Sequence, residues 1–287
     1  VVTPSQAATD TTTSPANSAT GRPAPATTSP SALPPEYPDE TSTGPIDESL
    51  IPEQSSPRIT TTNDGQVIEN IHTTGLVVVH NDVTIRNFRI SRDDPDQWFA
   101  IALLAHAETG DEVTGTLVED GQIITRDTHG RPLPSGGTGV NGSHLIARRL
   151  DISFVENGIA CSDCLVEDNY IHDLIEAGGA HNDGFQAGKG QNITIRHNTI
   201  LVPNQQTSAI ILGTSAGPID NVLIQDNYLD GGAYTIFSRD NGDGAPTNVT
   251  ITGNTFGRNF LYGILSEDGP VTWGENVWAD TGEIVGP

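Results

Sequence analysis

The sequence predicts an all-β chain wound as a right-handed parallel β-helix, a solenoid with an internal asparagine ladder, preceded by a disordered tail. Three observations carry this reading. A pattern of apolar-x-apolar-x-x-Asn-x-apolar occurs at 164–171, 193–200, 222–229, 249–256 and 271–278. Its asparagines, Asn169, Asn198, Asn227, Asn254 and Asn276, are spaced by 29, 29, 27 and 22 residues. The composition is turn-rich, with 31 Gly and 19 Pro in 287 residues, which suits short strands better than helices.

Each part of the pattern has a physical role. The apolar-x-apolar pair is a short strand with one face inward. The x-x-Asn step bends the chain, because Asn tolerates the left-handed region and bonds nearby backbone. The apolar residue after it begins a second inward-facing strand. Repetition stacks these strands in parallel, asparagine over asparagine. Two degenerate copies, at 83–90 and 145–152, precede the five.

A third strand follows a loop in each coil, at 158–161, 184–187, 209–212, 235–238 and 263–266. In the last four the gap from the asparagine is 15, 11, 8 and 9 residues, so length varies mainly in one loop. Solenoids commonly bind on the side where insertions project. Leucine is too rare for a leucine-rich repeat, and a propeller blade needs about 40–50 residues, so roughly eight β-helical coils are expected.

Residues 1–57 are dominated by Thr, Ser, Pro and Ala without period and read as a disordered linker; 58–287 form the β-helix domain. Within it, 113–125 alternates around Asp120-Gly121 and reads as a β-hairpin, part of a projecting insertion near 106–139 that walls a cleft or caps the N-terminal end. Cys161-Ser-Asp-Cys164 links the third strand of one coil to the first strand of the next. It is either a local disulfide of an oxidising compartment or two thiols filling an inward stack.

The chain has 13 basic and 37 acidic residues, a net charge of −24. That argues against nucleic acid and anionic membrane surfaces as partners. No run approaches 18 apolar residues, so no membrane insertion is expected. The absence of Met and the Thr/Pro-rich tail suit a secreted, extracellular protein with its signal removed, and a monomer. No fixed cofactor is expected. The acidic surface admits Ca²⁺, although 240–244 reads as a turn rather than a cation loop.

The coil consensus over 67–287 resembles the right-handed parallel β-helix, or pectate-lyase-like, superfamily. More narrowly, Ala180-His181-Asn182-Asp183-Gly184-Phe185-Gln186, with Gly231–Thr235 and Tyr262-Gly263, resembles a group of secreted bacterial β-helix repeat proteins common in actinobacteria. The wider resemblance implies polysaccharide as partner and lyase, epimerase or glycosidase activity. The paired-Asp and Gly-His-Gly signals of polygalacturonases and the Arg-x-Pro-x-x-Arg segment of pectate lyases are missing.

The richest polar cluster runs from His172 to Lys189. Elimination or epimerisation on a uronate needs a base, an acid and groups that hold the enolate. His181 and His172 are the natural candidates for base or acid. Lys189 neutralises the carboxylate, Asp183 orients a histidine and Gln186 bonds a sugar hydroxyl. Asp173, Glu176 and Asp183 alternatively supply the carboxylate pair of a glycosidase. Equally, these polar side chains serve only the backbone of a long turn.

A second reading is a non-catalytic glycan- or cell-wall-binding module. The coil alignment sets Gln186, Ile211, Phe237 and Leu265 in one outward column, with Tyr234 and Tyr262 nearby, a strip suited to sugar-ring stacking. Such a strip is also what a covering tail or loop would leave.

Overall fold

The computed structural model describes residues 36–92, 94, 96–126, 137–175, 182–202 and 207–287. It is an all-β parallel β-helix. Nine strands, Ile59–Thr60, Leu76–Val78, Phe99–Leu103, Thr138–Ser143, Asn157–Ser162, Asp183–Ala187, Ser208–Gly213, Tyr234–Arg239 and Gly263–Glu267, pair in chain order in a smaller parallel sheet. They mark nine levels, one more than expected. Each is followed by a contribution to a 14-stranded sheet. The first four contributions are single strands, Val67–Thr73, Thr84–Arg92, Thr116–Thr125 and Leu145–Ser153; from Leu165–Glu167 and Tyr170–His172 onward each is split in two.

The split is a corner, and the asparagine ladder is built on it. Asn169 Oδ1 accepts from the backbone N–H of Leu150, at 3.0 Å. Asn169 N and Nδ2 both donate to Asn198 Oδ1, at 3.0 and 2.8 Å. The same doubled contact joins Asn198 to Asn227, Asn227 to Asn254 and Asn254 to Asn276. All five asparagines are fully buried. The expected ladder is therefore present, and each amide satisfies backbone that the corner removes from the sheet.

The bend itself lies one residue earlier than the sequence suggested. Asp168, His197, Asp226, Gly253 and Glu275 hold the positive φ, at 49–69°, while the asparagines after them do not. In the first four coils Asn70, Asn87, Asp120 and Arg149 take the same conformation, but Ile71, Phe88, Gly121 and Leu150 occupy the ladder column. Gly121 is required there: a Cβ would lie 2.1 Å from the Phe88 ring.

Two sequence expectations change. Thr116–Thr125 is not a hairpin but one strand, parallel to Thr84–Arg92 and Leu145–Ser153, with Asp120 as its corner. The rest of that expected insertion falls partly on 127–136, outside the described residues. Residues 36–57, read as linker, form a strap across the corners in reverse order. Tyr37 stacks on His197, meets Tyr228 edge-on and bonds Thr255 Oγ1 at 2.8 Å. Gly44 N then donates to Arg149 O, Asp47 exchanges two bonds with Asn87, and Ser56 N reaches His72 O. Short polar residues can order here because the corner offers backbone partners. Of the two readings left open for Cys161 and Cys164, the disulfide is the one present.

On the outer face beside the corner, Glu69, Arg86, Glu119, Arg148, Glu167 and Arg196 lie in register on six successive coils. Arg86 pairs with Glu69, Arg148 with Glu119 at 2.7 Å and Arg196 with Glu167 at 2.8 Å. Gln225 ends the column.

Candidate functional site

The residues expected to form one catalytic cluster are divided among separate surroundings. His172 belongs to the larger sheet. Its Nε2 faces Asp151 Oδ1 at 2.9 Å, its Nδ1 faces Asp173 Oδ2 at 2.8 Å, and its ring stacks on Tyr170 with centroids 4.0 Å apart. Burial disfavours the charged ring, but the two carboxylates outweigh it and raise the pKa above its usual value. Gln122 donates to the same Asp151, and Arg89 to Gln122, so His172 and Asp173 end a polar network.

Asp183 is buried in the smaller sheet. Its N–H donates to Asn157 Oδ1, and its carboxylate accepts from Ser208 N and Ser208 Oγ. It ties three coils together. His181 and Glu176 lie outside the described residues. Lys189 and Gln186 do share a site, a groove of about 510 Å³ on the outer face of the smaller sheet. That volume is within the range of small-ligand sites.

The groove floor is a register column. Asn141, Ala160 and Gln186 are partners on successive strands, stepping by about 4.8 Å. Among the described residues, neither Asn141 nor Gln186 has a side-chain hydrogen bond to protein. Their amides are available to a ligand. The loop from Leu104 to Val113 forms one wall. It is closed by pairing of Ala105 with Glu112 and by His106, whose Nδ1 accepts from Glu108 N and Thr109 N while Nε2 donates to Asp64. This brings Glu112 across the groove: Oε1 lies 3.1 Å from Lys189 Nζ and Oε2 lies 3.3 Å from His144 Nε2. The Lys189 ammonium and His144 hold the Glu112 carboxyl below the usual carboxylate range.

The aromatic strip forms on the same sheet. Gln186, Ile211 and Phe237 are in register, so Phe237 lies about 10 Å from Gln186 along the column. Tyr234 packs against Phe237, with centroids 5.3 Å apart, and against Tyr262 at 5.6 Å. Tyr262 is 67% exposed. The expected column is wrong by one residue at its end: Leu265 pairs with Ile236 and is buried, and Ser266 continues from Phe237. The bend before Gly263 shifts that strand, which simple coil alignment cannot see.

Asn141, Glu112 and His144 were missed from sequence. Asn141 was findable by extending the outward column two strands toward the N-terminus. Glu112 had no signal, since it is 77 residues from Lys189 and reaches the groove through a loop unique to its coil. The 240–244 segment is a turn, with Asp240 Oδ1 accepting from Gly242 N and Gly244 N. Among the described residues, no three His, Cys, Asp or Glu side chains are grouped to hold a metal ion, and no helix is long and apolar enough to cross a membrane.

Fold and site together define the class: a parallel β-helix with an amide-floored groove and an aromatic cluster on the outer face of its smaller sheet. Comparison with protein-family models, with curated proteins and with solved structures found no match for this chain.

Proposed function

We propose that this protein is an extracellular glycan-binding β-helix that receives a polysaccharide across its smaller sheet. One observation carries the reading: a single outward face joins the unpartnered amides of Asn141 and Gln186 to the mutually packed rings of Tyr234, Phe237 and Tyr262. Amides bond sugar hydroxyls, and aromatic faces accept the apolar faces of sugar rings. The resemblance to the pectate-lyase-like superfamily supports polysaccharide as the ligand class, by analogy of fold only. The Cys161–Cys164 disulfide supports an oxidising, extracellular setting.

Binding is favoured over elimination because, of the described groups named for acid–base chemistry, Lys189 lines the groove while His172 and Asp183 are committed to other partners; His181 lies outside the described residues. The test is affinity electrophoresis of the full chain against a polysaccharide panel. Phe237→Ala and Tyr262→Ala lose retention, and His172→Ala keeps it. Undiminished retention by Phe237→Ala would sink the reading. An unsaturated, ultraviolet-absorbing product that disappears in His181→Ala would instead assign β-elimination.

A further inference from the structure

We propose that Lys189, which lines the groove, and His144, just outside its lining, form a carboxylate-receiving pair at the groove edge, that Glu112 is its built-in occupant, and that an acidic sugar of the bound glycan displaces it. The inference rests on the glycan-binding reading and adds to it a ligand charge and an internal competitor.

The geometry is that of a carboxylate already recognised. One oxygen of Glu112 faces the Lys189 ammonium and the other faces the His144 ring nitrogen. The two donors come from turns of different coils, just after Thr138–Ser143 and Asp183–Ala187, so the backbone fixes their separation. The carboxylate comes from a wall loop that is closed on itself by the Ala105–Glu112 pairing.

Charge makes the location distinctive. The chain carries −24, and Lys189 is its only lysine. Yet the charged residues lining the groove are one acid and one base, Glu112 and Lys189. Withdrawal of Glu112 leaves the groove locally cationic on an acidic protein, which favours an anionic ligand group where the rest of the surface repels it.

The contact is also suited to exchange. The side chains of Lys189, Glu112 and His144 are 47, 55 and 40% exposed. Water competes at all three, so the internal pair is weak and a ligand carboxylate supported by the Asn141 and Gln186 amides can replace it. Replacement needs no change in the sheet, only rotation of the Glu112 side chain. Neutral glycan binds without engaging the pair; acidic glycan gains it.

The experiment compares wild type, Glu112→Gln and Glu112→Gln/Lys189→Met by calorimetric titration with trigalacturonate and with its fully methyl-esterified form, which keeps the rings and removes the charge. Unchanged thermal midpoints verify folding. Glu112→Gln should bind the charged oligomer about two- to five-fold more tightly, the range that loss of an exposed competing ion pair supports, with no change for the ester. The double variant should lose the gain. In the Glu112→Gln protein, galacturonate should shift the His144 ring signals and methyl galactoside should not. Equal affinities of wild type and Glu112→Gln for the charged oligomer, or equal gains on both oligomers, overturn the inference. So does failure of Glu112→Gln to bind the charged oligomer. If Phe237→Ala still abolishes glycan retention in any of these cases, only the exchange falls. If no variant or wild type is retained by any glycan, the binding reading falls with it.

Discussion

Replacing Asn227 by Ala tests the ladder at its middle. The side chain makes four contacts: Oδ1 accepts from Asn198 N and Nδ2, and Nδ2 donates to Ile195 O and Asn254 Oδ1. After truncation Asn198 Nδ2 keeps the carbonyls of Val166 and Arg196, and Asn254 Oδ1 keeps the N–H of residue 227. Truncation takes the acceptor from the Asn198 backbone N–H and a donor from Ile195 O, in a column wholly shut from water. An orphaned buried donor costs about 1–3 kcal/mol, and each of the two lost donated bonds about 1 kcal/mol. The expected loss is therefore about 3–5 kcal/mol, a large part of the ~5–15 kcal/mol that holds an ordinary domain folded. Urea unfolding followed by circular dichroism measures it, with the exposed Asn63→Ala as a control expected to lose under ~0.5 kcal/mol. Hydrogen exchange should show the Asn198 amide losing protection first. A loss below ~1 kcal/mol, or no greater than that of the control, would refute the ladder as a source of stability.

Other perturbations follow from the same contacts. Gly121→Ala drives a Cβ into the Phe88 ring and should cost about 1–3 kcal/mol, partly recovered when Phe88→Leu is added; no recovery in the double variant contradicts the clash. Tyr37→Ala removes the strap's stacking and its bond to Thr255, and should cost about 1–2 kcal/mol and open 36–57 to limited proteolysis, whereas an unchanged cleavage pattern would mean the strap is held elsewhere. The raised pKa of His172 means the folded state binds the proton more tightly than the unfolded state. Its stabilisation is full below the ordinary histidine pKa of about 6.5 and fades as pH rises through the higher folded value. The advantage of wild type over His172→Gln should therefore shrink as pH rises above about 6.5, and an advantage that grows would reverse the assignment.

The last five coils were legible because their strongest constraint is local in sequence: from Asn169 onward a buried amide recurs once per turn. The first four coils were harder to read because Ile71, Phe88, Gly121 and Leu150 fill that column without a common residue type. Asp120-Gly121 misled for a physical reason. A left-handed residue followed by glycine signals a two-residue turn, but here Asp120 makes a corner and Gly121 clears space for Phe88. The strap was hidden by its composition, since Gly44 and Asp47 are held by backbone hydrogen bonds rather than apolar burial. The aromatic trio was readable because Tyr234 and Phe237 share a strand. The Glu112 contact depends on a loop conformation that no periodicity encodes.

The alternating column from Glu69 to Arg196 gives otherwise similar coils a parity. If a coil were skipped during winding, each rung would meet its own sign, Glu119 over Glu69 or Arg196 over Arg148, and the opposed carboxylates or guanidiniums would repel. Skipping two coils would restore the alternation, but it would set Asn169 against an earlier coil in place of Leu150 and Ala147, whose backbone its amide bonds. Charge thus distinguishes odd from even and the amides distinguish early from late. Between them, the two columns limit the registers in which a repetitive chain can wind.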